Sequence, residues 1–205
     1  MTTHDIATPE AQSDAILLPP GWIALAPEGA DPSAWVEAYL DGLTTQPTAI
    51  ARAQLRYGLL SLIDMAAGMR PGKRYSFAFV EDPTVGLVRA LLSLQMLRVT
   101  GDAFENYRAR LETSTDSETV EVINRTVQRV ELAAGSAWLM HDFTLSALPE
   151  AIPDPALERA VLGLFVRDAE VMIEFSMYAQ DLAVFDNMPQ YLVDIVAALD
   201  ISGVN

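Results

Sequence analysis

The chain has 205 residues, 51% of them hydrophobic and 20% charged, with a formal net charge of −15. That length carries one sizeable core, and the composition excludes a mostly disordered polymer. There is no cysteine, which excludes disulfides, thiolate metal sites and cysteine nucleophiles together.

The acidity is terminal. Residues 1–51 and 168–205 each hold seven acids and no Lys or Arg, whereas 52–167 is close to balanced. Nucleic acid and anionic membrane surfaces are therefore not expected partners, since both are bound by clustered Lys and Arg. A solvated surface explains the acidity; an acidic face for a basic protein partner is the alternative. Lys73 is the single lysine among 13 basic residues. The first residues, MTTHDIATPEAQSDA, carry no basic stretch followed by an apolar one, and no apolar run reaches the roughly 18 residues of a membrane span. The expected location is cytoplasmic.

In chain order, residues 1–16 are polar and aperiodic and read as a flexible acidic tail, ahead of a single domain over 17–205. Trp22 to Ala26 reads as a short strand entered from the Pro19-Pro20-Gly21 turn. Asp31-Pro32 is a helix start, with Asp as cap and Pro at the first helical position; that helix runs to Gly42. A second helix begins at Thr48 and ends near Gly68 and Pro71. Its Ile50, Leu55, Leu59, Leu62, Ile63 and Ala66 follow helical spacing. Tyr57, Leu60 and Met65 widen the apolar surface beyond one stripe, which suggests burial on two sides or a partner.

Strands follow. Arg74–Val80 places Tyr75, Phe77 and Phe79 on one face. Val85–Leu97 places Val88, Leu92, Leu94 and Met96 on one face, with Leu87, Leu91, Leu97, Arg89, Ser93 and Gln95 on the other. Glu81–Thr84 between them reads as a hairpin loop. Asp102 and Glu105 look like a capping box opening a helix to about Leu111. After a polar loop at 113–119, Val120–Leu132 and Ala137–Leu145 form a second hairpin. A loop at Pro149–Pro155 precedes a third, Ala160–Arg167 with Glu170–Tyr178. There Val171, Ile173, Phe175 and Met177 oppose Met172, Glu174, Ser176 and Tyr178. A helix from about Asp186 to Leu199 closes the chain.

Successive hairpins imply an antiparallel sheet, and strands apolar on both faces imply helices on both faces. The expected fold is α+β: a mainly antiparallel sheet of about six to seven strands in an α/β/α sandwich.

LPPGWIALAP at 18–27 resembles the opening of a group of small bacterial α/β proteins whose first strand begins Leu-Pro-Pro-Gly-Trp. EFSMYAQDLAVFDNMPQYLVDIVAALD at 174–200 resembles that group's last strand and helix. The chain departs from the group at Ser176-Met177-Tyr178, where a Ser-Thr-Pro-like turn is usual. The group is similar in architecture to the PsbP-like fold, which includes photosystem extrinsic proteins, a nuclear-transport accessory factor and bacterial lipoproteins. The resemblance implies a small non-catalytic binding or accessory domain, and in some members a link to specialised secretion or toxin systems.

Catalytic signals are sparse. His4 lies in the tail. His141 and Asp142 are strand neighbours and point to opposite faces, so they form no local dyad; His141 reads as a hydrogen-bonded strand histidine. Glu81-Asp82 and Asp116/Glu118 lack calcium-loop spacing, and no metal or cofactor is expected. Gly72-Lys73-Arg74 lacks the Ser or Thr of a phosphate-binding loop, and neither GxGxxG nor GxSxG occurs. The eight methionines read as core filling. The sequence thus favours a non-enzymatic interaction or accessory protein, such as an adaptor or chaperone for a secreted or toxic partner. The candidate surface is Tyr57, Leu60 and Met65, with Leu17 and Leu18, and a homodimer is one use of it. A small-ligand-binding domain, with Trp22, Trp35, Tyr57 and Trp138 as pocket aromatics, is the alternative. An enzyme with a dispersed carboxylate site is the third.

Overall fold

The computed structural model describes residues 18–68, 74–113, 120–146 and 156–199. The expected tail, Leu17, the Pro149–Pro155 loop and most of the 113–119 loop lie outside these. The described elements are β1 (Trp22–Ala24), α1 (Pro32–Asp41), α2 (Ala49–Gly68), β2 (Arg74–Phe79), β3 (Ala90–Arg98) and α3 (Ala103–Glu112). They continue with β4 (Val120–Leu132), β5 (Gly135–Ser146), β6 (Leu157–Val166), β7 (Val171–Ala179) and α4 (Met188–Ala198). The seven strands form one antiparallel sheet in the order β1-β2-β3-β7-β6-β5-β4. β2–β3, β4–β5 and β6–β7 are the three sequence-local hairpins. The β3–β7 pair, about 80 positions apart in the chain, joins the first hairpin to the third, and β5–β6 joins the second to it.

Neighbouring strand residues enter different cores. Phe77, Leu92, Phe175 and Met177 cluster with Met188, Leu192 and Ile195 of α4. Their neighbours Ala78 and Leu91 cluster instead with Val36 and Leu40 of α1 and Leu55 and Leu59 of α2. Successive side chains leave a strand on opposite sides, so α4 and the α1–α2 pair lie against opposite sides of the sheet. α3 packs through Tyr107 and Leu111 onto Trp138, Met140, Val161 and Met172. By strand parity these share the side of Leu91.

Local chemistry fixes the helix ends. Asp31 accepts a 2.9 Å hydrogen bond from the Ser33 amide, with Pro32 at the first helical position. Asn187 caps α4 through the Gln190 amide at 3.1 Å. The capping box expected at α3 is not formed: Asp102 makes no side-chain cap bond. β1 stops at Ala24, two residues short of expectation, although the Leu25 amide still reaches Ser76 O at 2.8 Å. β3 begins at Ala90 rather than Val85. Asp82 accepts from both the amide and the hydroxyl of Thr84, and Gly86 takes a φ of +83°, so residues 83–86 are held as turns. Val88 consequently packs with α1 and α2 and not with Leu92. Among the described residues no helix is long and apolar enough to cross a membrane.

Candidate functional site

On the α1–α2–α3 side, the helices leave the middle of the sheet uncovered. One register row there runs Ser76, Ser93, Ser176, Val161, Met140 across β2, β3, β7, β6 and β5. Small serines cannot fill the gap between α2 and α3, and a cavity of about 370 Å³ opens over them. Two further rows flank it. One carries Arg74, Gln95 and Glu174; the other carries Tyr178, Arg159 and Asp142. Leu111 and Thr113 at the end of α3, Gly68 at the end of α2, Arg110 and Arg125 complete the lining.

Four guanidinium groups therefore line one cavity. Arg125 and Arg159 share Asp142, whose side chain is fully buried. Arg159 donates Nε to Oδ1 at 2.9 Å and Nη2 to Oδ2 at 2.7 Å. Arg125 donates Nε to Oδ2 at 2.9 Å and spends Nη1 on the carbonyls of Leu111 and Thr113, which pins the end of α3 to β4. Burial works against the Arg159 charge, but its bonds and attraction to Asp142 outweigh that and hold its pKa above the ordinary value. Arg110 pairs with Glu174, which also accepts 2.9 Å from the Tyr107 hydroxyl. Arg74 donates to Gln95 Oε1 at 3.2 Å and to Ala66 O at 3.4 Å. Among the described residues no carboxylate pairs with Arg74. Its Nε and the Nη1 of Arg159 make no hydrogen bond there.

Tyr178 stands between these open donors. Burial raises its pKa; the Arg159 charge and the Ser176 hydroxyl pull the other way, Glu174 adds to the rise, and Arg74 opposes it. The phenol is thus neutral at ordinary pH and presents an O–H. Four positive charges thus stand against two carboxylates, with N–H and O–H donors left over, an arrangement whose chemistry suits a negatively charged group.

The sequence-derived surface divides. Tyr57 is 76% exposed and Ile50 74% exposed on α2, and Val85 and Leu87 of the β2–β3 connection are exposed as well. Ala49, Ile50, Ala53, Gln54 and Tyr57 line a shallow apolar depression there. Leu60 and Met65 instead pack, half-buried, against the α1–α2 core. Leu18 packs against the α4 core. Of the four candidate pocket aromatics, Trp22 belongs to the α4 core, Trp35 to the α1–α2 core and Trp138 to the α3 core; none of the four lines the arginine cavity.

His141 and Asp142 face opposite sides, as their spacing requires. Asp142 holds the two arginines, while His141 Nε2 lies 2.8 Å from Glu158 Oε1. Among the described residues no group of three or more His, Asp or Glu side chains gathers to hold a metal ion.

The cavity itself was not foreseen. Its signal was present as polar pairs on otherwise apolar strands: Ser93 with Gln95, and Glu174 with Ser176. Without knowing that β3 lies beside β7, those pairs look unrelated. Comparison with protein-family models finds none that matches this chain, and comparison with curated proteins finds no significant match.

Proposed function

We propose that the protein is a non-enzymatic binding domain whose central cavity holds a small anionic molecule. One observation carries this reading: four of the chain's 13 basic residues converge on a single cavity, although the chain as a whole carries a charge of −15. Such a chain repels anions at long range, so a local excess of guanidinium is a specific feature and not a by-product of composition. Arg74 and Arg159 supply the open donors, Tyr178, Ser93 and Ser176 supply hydroxyls, and Asp142 fixes Arg159 in place. Titration of the protein with acetate and inorganic phosphate, followed by NMR of the arginine side chains, tests it. Saturable shifts at Arg74 and Arg159, weakened at least about tenfold by Arg74→Gln, are expected. Absence of saturable binding by both anions and by a longer carboxylate such as hexanoate would overturn the reading.

A second reading, an accessory protein that docks a protein partner, is favoured by the exposed Ile50, Tyr57, Val85 and Leu87. Its simplest form is a homodimer through α2. Light scattering across a concentration series tests that form: self-association lost in Tyr57→Ser supports it, and a monomer at all concentrations excludes it.

A further inference from the structure

We infer that the ligand of this cavity is an organic acid with a short apolar body, a ring or chain lying over Val161 and Met140, and not an inorganic oxyanion. This rests on the anion-binding reading and deepens it. The floor changes character along one register row. Ser93 and Ser176 form its β3–β7 half, and Val161 and Met140 form its β6–β5 half. Strand spacing makes the path from Ser176 to Met140 roughly 10 Å. Leu111 of α3 packs with Val161 and Met140 and lines the apolar half.

Arg74 on β2 and Arg159 on β6 stand to either side of the polar half, which carries Tyr178 and the Arg110-paired Glu174 beside Ser176 on β7; Arg159 also flanks Val161. A carboxylate lying over the two serines would face the Tyr178 hydroxyl and the Arg74 and Arg159 side chains that line the same cavity. The rest of such a molecule is then directed over Val161. A cavity of about 370 Å³ is far larger than one oxyanion and lies at the small end of the range of about 300–1,000 Å³ for small-molecule sites. A bare phosphate would keep its hydration on the apolar side, where Val161 and Met140 offer it no hydrogen bond. An acid with an apolar body displaces that water from surface that gains by losing it.

Calorimetric titration of the full chain with acetate, hexanoate and inorganic phosphate tests the inference. Each buried methylene strengthens binding by about fourfold at most, so hexanoate is expected to bind at least about tenfold more tightly than acetate and more tightly than phosphate. Arg74→Gln should weaken hexanoate, which locates it in this cavity and not on the exposed α2 face. The near-isosteric Val161→Thr should shrink the hexanoate-to-acetate ratio. Acetate and hexanoate of equal affinity, or phosphate as the tightest of the three, would overturn the inference while leaving an anion site in place. Hexanoate binding untouched by Arg74→Gln would also overturn it. Binding of none of the three would remove both the inference and the reading beneath it.

Discussion

The indole Nε1 of Trp22 donates a 3.0 Å hydrogen bond to the hydroxyl of Tyr191, tying β1 to α4 across 169 positions of chain. Their rings belong to one aromatic stack: Trp22 lies 5.2 Å from Phe79 and 6.5 Å from Phe185, and Phe185 lies 4.6 Å from Tyr191. β1 has only three residues, so its place in the sheet depends on this side-chain anchor more than on its ladder. Trp22→Ala should destabilise the fold by about 3–5 kcal/mol, the usual cost of removing a large packed aromatic. Trp22→Phe keeps most of the ring contact and loses the hydrogen bond, so about 1 kcal/mol is expected. Urea unfolding midpoints of the two variants check the order; equal losses would show that the hydrogen bond, not the ring, holds β1.

Asp142 should be the least replaceable polar residue behind the cavity wall. Its carboxylate is fully buried and, among the described residues, is the one acid that Arg125 and Arg159 share. Asp142→Asn leaves two poorly exposed guanidiniums without a counter-charge, and breaking a buried pair in this way costs about 3–5 kcal/mol. By contrast, Glu37→Gln removes an exposed partner of Arg52 and Arg56 and should cost far less, because water and salt screen such pairs. Denaturation at low and high salt separates the two: the Asp142 effect should persist in high salt and the Glu37 effect should fade.

The same residues show what a sequence can and cannot disclose. That His141 and Asp142 point apart follows from strand geometry alone, and so does the division of β7 into Ile173, Phe175 and Met177 against Glu174, Ser176 and Tyr178. The helix start at Asp31-Pro32 was equally legible, because a cap is made by residues two apart. What Asp142 faces was not legible. Its partners come from β4 and β6, and the cavity adds Arg74 from β2 and Arg110 from α3. The register that aligns Ser93 with Ser176 depends on β3 pairing with a strand some 80 positions away. No local rule contains that pairing. The turn at residues 83–86 misled for the opposite reason: Val85 to Arg89 reads as the start of the apolar run that continues to Leu97, but the Asp82–Thr84 bonds and the positive φ of Gly86 decide locally against a strand there.

Alkaline pH should unfold this protein through two largely buried tyrosines, Tyr107 and Tyr178. Burial raises the Tyr107 pKa well above its usual value, with the Glu174 charge adding to the rise; burial also raises that of Tyr178. In the unfolded chain both ionise near pH 10. A group with a raised folded pKa contributes stability that is fully present below its unfolded pKa and is lost as pH rises toward the folded one. The melting temperature should therefore be insensitive to these groups up to about pH 9 and fall above about pH 10. Tyr107→Phe and Tyr178→Phe should each make that fall shallower, whatever they do to stability at neutral pH. Thermal melts between pH 8 and 11 for the three proteins measure this; parallel curves would assign the alkaline loss to other groups.

Gly163 gives the sharpest steric test of the α3 side of the cavity. It lies on β6 directly under Tyr107: an added Cβ would stand 2.4 Å from the ring Cε1 and 2.5 Å from Cζ. The ring has little freedom to yield. Its hydroxyl is bonded to Glu174, the Arg110 guanidinium covers its face at 4.6 Å, and Phe165 meets its edge at 5.8 Å. Gly163→Ala should thus lift Tyr107 off the sheet, loosen Glu174 and Arg110 with it, and cost about 1–3 kcal/mol, as overpacking does. A displaced phenol is also better hydrated, so its ionisation, followed by ultraviolet absorbance, should move back toward pH 10. Gly68 is the matching control. It ends α2, a Cβ there meets nothing within 4 Å, and Gly68→Ala should be neutral or stabilising by up to about 1 kcal/mol. A Gly163→Ala protein that melts like Gly68→Ala, with its tyrosine titration unmoved, would mean that the Tyr107 ring is not held against β6 and that α3 is free to reshape this wall of the cavity.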